Sequence, residues 1–161
     1  MEHFIQAVEN SALNTFIDSE PWLWPILEIL HFLGLSILIG SLLVVDLRLA
    51  GFFRAANITA THRLLPWSVG GFVINLTSGL LFFAGDPARY AANVGFQWKM
   101  ALVLFAGLNA LWFWWKIDPK IKTWPPHGPA PAHAQCIAWL SLATWFTVLL
   151  LGRLLPYIGT G

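Results

Sequence analysis

Four stretches of the chain are long and apolar enough to cross a bilayer: Trp22 to Val45, Leu65 to Ala84, Phe96 to Trp115 and Ala134 to Leu155. A hydrocarbon core requires about 20 residues of helix. Inside it every backbone N–H and C=O must be bonded within the protein, which leaves helices or a closed barrel. Runs this long fit helices and are too long for barrel strands. They predict an all-α fold, an integral membrane four-helix bundle. The balance of residues agrees. Of 161 residues, 57% are hydrophobic and 11% are charged, against about 25% charged in a typical soluble domain. Trp22, Trp24, Trp67, Trp98, Trp115, Trp139 and Tyr157 fall near the run ends, where an aromatic belt belongs.

The connecting segments carry the helix breakers. DPARYAANVG (Asp86 to Gly95) joins the second and third runs, and DPKIKTWPPHGPAP (Asp118 to Pro131) joins the third and fourth. The prolines of the latter preclude a continuous helix. Residues 1–20 read differently from the four-helix domain at 21–161. Phe4, Ile5, Val8, Ala12, Leu13 and Phe16 recur at helical spacing between polar residues, the pattern of an amphipathic helix on a membrane surface. A basic stretch ahead of an apolar core is missing at the N-terminus, so no cleaved signal peptide is expected. The first apolar run then acts as its own insertion signal.

Charge sets the expected orientation. Arg48, Arg54 and Arg63 lie in the first loop, and Lys116, Lys120 and Lys122 in the third. They are six of the nine Lys and Arg residues. The positive-inside rule puts those loops in the cytoplasm and both termini outside, in a bacterial inner membrane. The net charge of +1 shows no basic surface for nucleic acid. The single cysteine, Cys136, cannot form an internal disulfide.

The rare polar residues of the four runs gather in the outer half. At about 1.5 Å per residue, Glu28 is about 9 Å and His31 about 13 Å below the outer surface. Asn75 on the second run is also about 13 Å deep, and Lys99 and Arg153 are each about one turn inside their helices' outer ends. Charge in hydrocarbon is expensive, about 2.5–3.5 kcal/mol per group on the lenient scale. A Glu28, Lys99 and Arg153 cluster would offset that cost. Alternatively Lys99 and Arg153 snorkel to the headgroups. His31 has three readings: a core histidine bonded to Asn75 or a backbone carbonyl, a proton-relay partner of Glu28, or an axial ligand of a b-type haem. Gly34, one turn on, removes bulk that a porphyrin edge would need, and is also ordinary helix packing. His3, His62, His127 and His133 all lie in tails or loops. A second axial ligand would therefore be Met100 or Lys99, unless the iron is five-coordinate.

Other polar and small residues read as scaffold. Ser36 with Gly40, and Gly71 with Asn75 and Gly79, are helix-contact stripes. Asn109 predicts an interhelical hydrogen bond. Asp46 and Arg48 predict a topology clamp at the cytoplasmic interface. The tryptophans of LWFWWK predict lipid-facing packing.

The segments WPILEILHFLGLSILIGSLLVVDLRLAG, LLPWSVGGFVINLTSGLLFF, FQWKMALVLFAGLNALWFW and LLGRLLPYIG resemble a bacterial family of small four-helix membrane proteins without an assigned activity. That resemblance covers most of the chain and implies a four-helix bundle. More distantly, LHFLGLSILIG and WKM look like the copper-resistance D membrane proteins and the J-type membrane protoporphyrinogen oxidases. In the latter a first-helix histidine is tied to haem and a third-helix lysine is important. The corresponding positions are His31 and Lys99. Relatives carry a histidine late in the third helix, where this chain reads WFWWK.

The leading expectation is a cytochrome-like protein holding haem b in its outer half. His31 is its ligand, with Glu28 orienting or balancing it. Lys99 and Arg153 pair with propionates or with Glu28, while Asn75 and Met100 line the site. Its partners would be the lipid bilayer and a membrane, quinone or periplasmic redox partner. Two alternatives stand beside it: a non-catalytic accessory or assembly subunit of a larger complex, and a copper or proton transporter using Glu28 and His31. Small residues on several faces permit a homo-oligomer.

Overall fold

Uninterrupted apolar sequence forms helix wherever a breaker does not intervene, and the computed structural model, which describes residues 2–158, follows that rule closely. Two short helices, α1 (Glu2–Glu9) and α2 (Ala12–Ser19), precede the long α3 (Leu23–Leu49). Next come α4 (Ile58–His62), α5 (Leu65–Gly85), α6 (Pro87–Ala92), α7 (Val94–Lys116) and α8 (Ala132–Leu154). Helices α3, α5, α7 and α8 have the length and composition to cross a membrane, as in a multi-pass membrane protein. The expected single N-terminal helix is broken at Ser11, whose hydroxyl accepts from Asn14 N at 3.2 Å and starts α2. Asn14 then donates to the Ala84 and Gly85 carbonyls at 2.8 and 3.1 Å. These bonds fasten α2 to the end of α5 and leave Phe4, Leu13 and Phe16 exposed.

The spanning helices form two hairpins side by side. α3 packs along α5, α7 packs along α8, and α3 meets α8. The first pairing is set by glycine. A Cβ on Gly71 would fall 2.6 Å from Leu38 N and 2.7 Å from Gly34 O, and one on Gly34 would fall 3.0 Å from Asn75 N. Backbones this close leave no room for a side chain, so the Gly71 stripe is a helix contact. A second tie, Ser41 Oγ to Ser68 Oγ at 2.7 Å, lies further along the same seam. Ser36 and Gly40 make no such contact. Both are exposed, because they lie on the far side of α3 from α5. On the other hairpin Asn109 donates to Ile137 O at 3.3 Å, joining α7 to α8. Trp112, Trp114 and Trp115 are exposed and turn outward.

The densest packing lies at the end carrying the first and third loops. Val45, Leu49, Ile58, Phe113, Ile117, Ile121, Ala130, Ala134 and Ala138 form one buried cluster there. Arg48 runs through it with 0% of its surface exposed. Its Nε donates to Ala56 O at 2.7 Å, and its Nη2 donates to Pro126 O and Gly128 O, each at 3.1 Å. One guanidinium thus ties the first loop to the third. Beside it Ile58 N donates to Pro126 O at 3.0 Å. His62 and Asp118 pair across the same loops, with His62 against the Phe113 ring. Gly51, at φ +105°, makes the left-handed turn that ends α3 and frees the chain to fold back over Arg48. Arg48 therefore departs from the expected interfacial position. The proline-rich third loop folds over it and supplies two of its acceptors.

Removing the guanidinium strands the Ala56 and Gly128 carbonyls and leaves Pro126 O with its bond from Ile58 N alone, and each unsatisfied group costs about 1–3 kcal/mol. Arg48→Gln is expected to lower stability by on the order of 3 kcal/mol, read as a lower midpoint of thermal unfolding in detergent. Arg48→Lys should recover only part of this, since an ammonium lacks the fork that reaches all three acceptors. An unchanged midpoint in Arg48→Gln would refute this role.

Candidate functional site in the terminal half of the bundle

His31 sits on the face of α3 that carries Leu27, Gly34 and Leu38, all buried against α5. Its ring meets a short polar ladder on α5. Nδ1 lies 2.8 Å from Ser78 Oγ. That hydroxyl donates its single hydrogen to Ile74 O at 2.8 Å, or to Asn75 O at 3.1 Å. With its hydrogen so placed the hydroxyl accepts from the histidine, and the proton of the neutral ring is on Nδ1; turned toward the ring instead, it donates to Nδ1 and the proton is on Nε2. Asn75 Nδ2 donates to the His31 carbonyl at 2.7 Å, which fixes the backbone that carries the ring. Phe82 lies edge-on at 5.6 Å. A Cβ on Gly79 would come within 3.7 Å of His31 Cε1, an ordinary contact, so the ring packs against α5 at Gly79. Nε2 forms no hydrogen bond among the described residues.

Lys99, in the second turn of α7, is half-buried and within Coulombic reach of His31. Its Nζ lies 3.5 Å from the position of a Cβ on Gly152, an ordinary contact distance, so the amine packs against α8 there. The ion pairs among the described residues are His62–Asp118 and Arg89–Asp86. Lys99 therefore enters the bundle without a carboxylate. Gly152 also lines a pocket of about 120 Å³ with Arg89, Tyr90, Asn93, Leu155 and Pro156, which links the lysine's surroundings to the terminal surface. Burial, helped by Asp86 and Glu28 and opposed by Arg89, pushes the Tyr90 phenol above its ordinary pKa, so it remains a donor at neutral pH. Asn93 closes this end. It accepts from Phe96 N and donates to the Leu155 and Ile158 carbonyls.

The shared outer-half cluster expected from depth counting is only partly assembled. His31, Asn75 and Lys99 face the interior. Glu28 is exposed and pairs with neither Lys99 nor Arg153, because it is one position past buried Leu27 and so about 100° around the helix. Arg153 is exposed, with its guanidinium 5.8 Å from the Tyr157 ring, the snorkelling arrangement. Met100 is 40% exposed, one position around α7 from Lys99. Gly34 gives no space to a porphyrin edge, since the α5 backbone occupies it.

Sequence reasoning missed Ser78. Its signal was present: it lies one turn beyond Asn75 and beside Gly79, on the stripe already read as a helix contact.

Ser78→Ala removes the acceptor that holds the Nδ1 proton. In the intact protein, ¹⁵N NMR of labelled histidine should show His31 as the Nδ1–H tautomer. Ser78→Ala should shift it toward a tautomer mixture, at a stability cost of about 1 kcal/mol. An Nε2–H tautomer in the unaltered protein would contradict the assignment.

Comparison with models of known protein families, with curated proteins and with solved structures gives no match.

Proposed function

We propose that the protein holds a b-type haem in the half of the bundle nearest its termini, with His31 as the protein ligand. The observation that supports this is the His31–Ser78 hydrogen bond. Metal-ligating histidines characteristically donate their other ring N–H to an oxygen, which fixes the tautomer and raises the basicity of the ligating nitrogen. Here Nδ1 is the tethered nitrogen and Nε2 the free one. Lys99 adds a cation without a carboxylate partner, suited to a haem propionate. Because Gly34 provides no space, the haem would have to be taken in between the hairpins, beside the Phe83–Phe96 stack at 5.9 Å that joins α5 to α7. A haem held there supplies one-electron transfer. The residues' own work is to present a neutral imidazole, keep its ring seated between Gly79 and Phe82, and hold a positive charge nearby.

The excess of Arg and Lys in the first and third loops favours a bacterial inner membrane with both termini outside. The haem would then lie in the outer half, facing a membrane or periplasmic redox partner.

The same hydrogen bonds also favour a second reading. Both His31 to Ser78 and Asn75 to His31 O bridge α3 and α5, as expected of an accessory subunit whose polar residues fix helix packing. A copper or proton relay has less support, because Glu28 is exposed and forms no hydrogen bond with His31 among the described residues.

Protein purified in detergent from haem-replete membranes is expected to show Soret and α bands in a reduced-minus-oxidised spectrum. His31→Ala should reduce haem occupancy roughly tenfold or more, in line with loss of a metal ligand. Lys99→Met should weaken retention while leaving band positions unchanged. Absent bands, with the protein co-purifying in a larger complex, would favour the accessory reading. Bands that persist in His31→Ala would remove His31 as ligand.

A further inference from the structure

The pocket of about 120 Å³ at the terminal end lies between α6 and the close of α8. Its polar wall holds donors that the fold leaves unused. The Arg89 guanidinium is 3.8 Å from Asp86 Oδ2, beyond hydrogen-bond distance. Asp86 instead caps α6, its Oδ1 accepting from Arg89 N at 3.3 Å. The Tyr90 hydroxyl has no hydrogen-bond partner among the described residues. Asn93, by contrast, is fully engaged with Phe96 N and the Leu155 and Ile158 carbonyls. Leu155 and Pro156 supply the apolar wall. Charge around the pocket is unbalanced. Arg89 lines it, Lys99 Nζ packs against its Gly152, and Arg153 follows that glycine. Against these three cations stand Asp86 and Glu28, the carboxylates within Coulombic reach of Tyr90. A positive surplus remains.

We infer that this pocket binds a phosphodiester monoanion, the headgroup phosphate of a membrane lipid. Two observations select that chemistry. The first is the donor set: a guanidinium fork matches two phosphate oxygens at once, and the Tyr90 hydroxyl adds a third donor to one of them. A single negative charge also matches the positive surplus. The second is the level. α7 has 23 residues, about 34 Å of helix against a hydrocarbon core of about 30 Å. Arg89, Tyr90 and Asn93 come just before its first turn, and Leu155 and Pro156 just after α8. Exposed Trp98 and Tyr157 flank this end, as aromatic side chains do at the headgroup layer. Phosphate is the anion that layer supplies. The pocket has room for a headgroup, so the acyl chains stay outside it in the bilayer. This assignment is independent of the haem reading, because its donors are Arg89 and Tyr90 and it makes no use of His31.

The test is native mass spectrometry of the full, delipidated chain in detergent, with dioleoyl phosphatidylglycerol added. A single lipid adduct is expected, at concentrations where dioleoylglycerol, which keeps the chains and lacks the phosphate, gives none. Arg89→Gln should lower occupancy roughly tenfold or more, as loss of a charge-assisted hydrogen bond does. Tyr90→Phe removes only the hydroxyl, keeps the ring against Phe96 and should lower occupancy several-fold with the thermal midpoint unchanged. Lys122→Gln removes an exposed cation at the opposite end and should leave occupancy as it was. Glycerophosphoglycerol, the same phosphodiester without chains, distinguishes the source. Weaker binding than the lipid supports a headgroup seat, and equal binding supports the same chemistry with a soluble ligand. Equal adducts with dioleoylglycerol would overturn the assignment. So would occupancy unchanged in both Arg89→Gln and Tyr90→Phe, or a loss in Lys122→Gln as large as that in Arg89→Gln.

Discussion

The hydrogen bonds from the Arg48 guanidinium to Ala56, Pro126 and Gly128 close one end of the bundle. Arginine suits this role because its fork is rigid and remains charged when buried. It also sits in the last turn of α3, where the helix dipole favours a cation. The two loops it joins belong to different hairpins. Their union lets the apolar cluster around Ile117 and Ile121 form, and it anchors the ends of α3, α7 and α8. With that end fixed, the other end is free of the same packing demand. There α5 and α7 are joined through α6 and the Phe83–Phe96 stack, and the polar residues of the interior collect.

The glycine seam between α3 and α5 converts this architecture into a site. Direct contact at Gly34 and Gly71 sets the rotation of α3 against α5. That rotation places His31 over Gly79 and within bonding distance of Ser78. One helix contact therefore determines the position of the imidazole and its hydrogen-bond partner. Lys99 arrives independently, from the second hairpin, packed against Gly152 of α8. The candidate site depends on both hairpins holding their places, and so on the Arg48 closure at the far end.

Much of this was legible in the sequence, for physical reasons. Twenty-residue apolar runs admit one kind of structure in a bilayer, so the four long helices follow with boundaries displaced by a few residues. The largest displacement is at α3, which continues to Leu49 because Asp46 and Arg48 are buried and therefore do not end it. Small residues at helical spacing correctly marked the Gly71 seam and missed the exposure of Ser36 and Gly40, since spacing gives a face without saying which partner covers it. Depth counting placed His31, Asn75 and Lys99 together in the outer half, within about two turns of one another. It could not supply rotation, and rotation turns Glu28, Met100 and Arg153 outward. Arg48 looked like an interfacial charge because the loop that solvates it lies 78 positions away in sequence.

The central claim is that His31 Nε2 is a ligand held ready by Ser78. Chemical rescue tests it most directly. In His31→Gly, protein isolated from haem-replete membranes should lack the visible bands, and added imidazole should restore them by occupying the vacated space as an untethered ligand. Bands already present in His31→Gly without imidazole would contradict the claim. So would bands absent both from the unaltered protein and from the imidazole-supplemented variant.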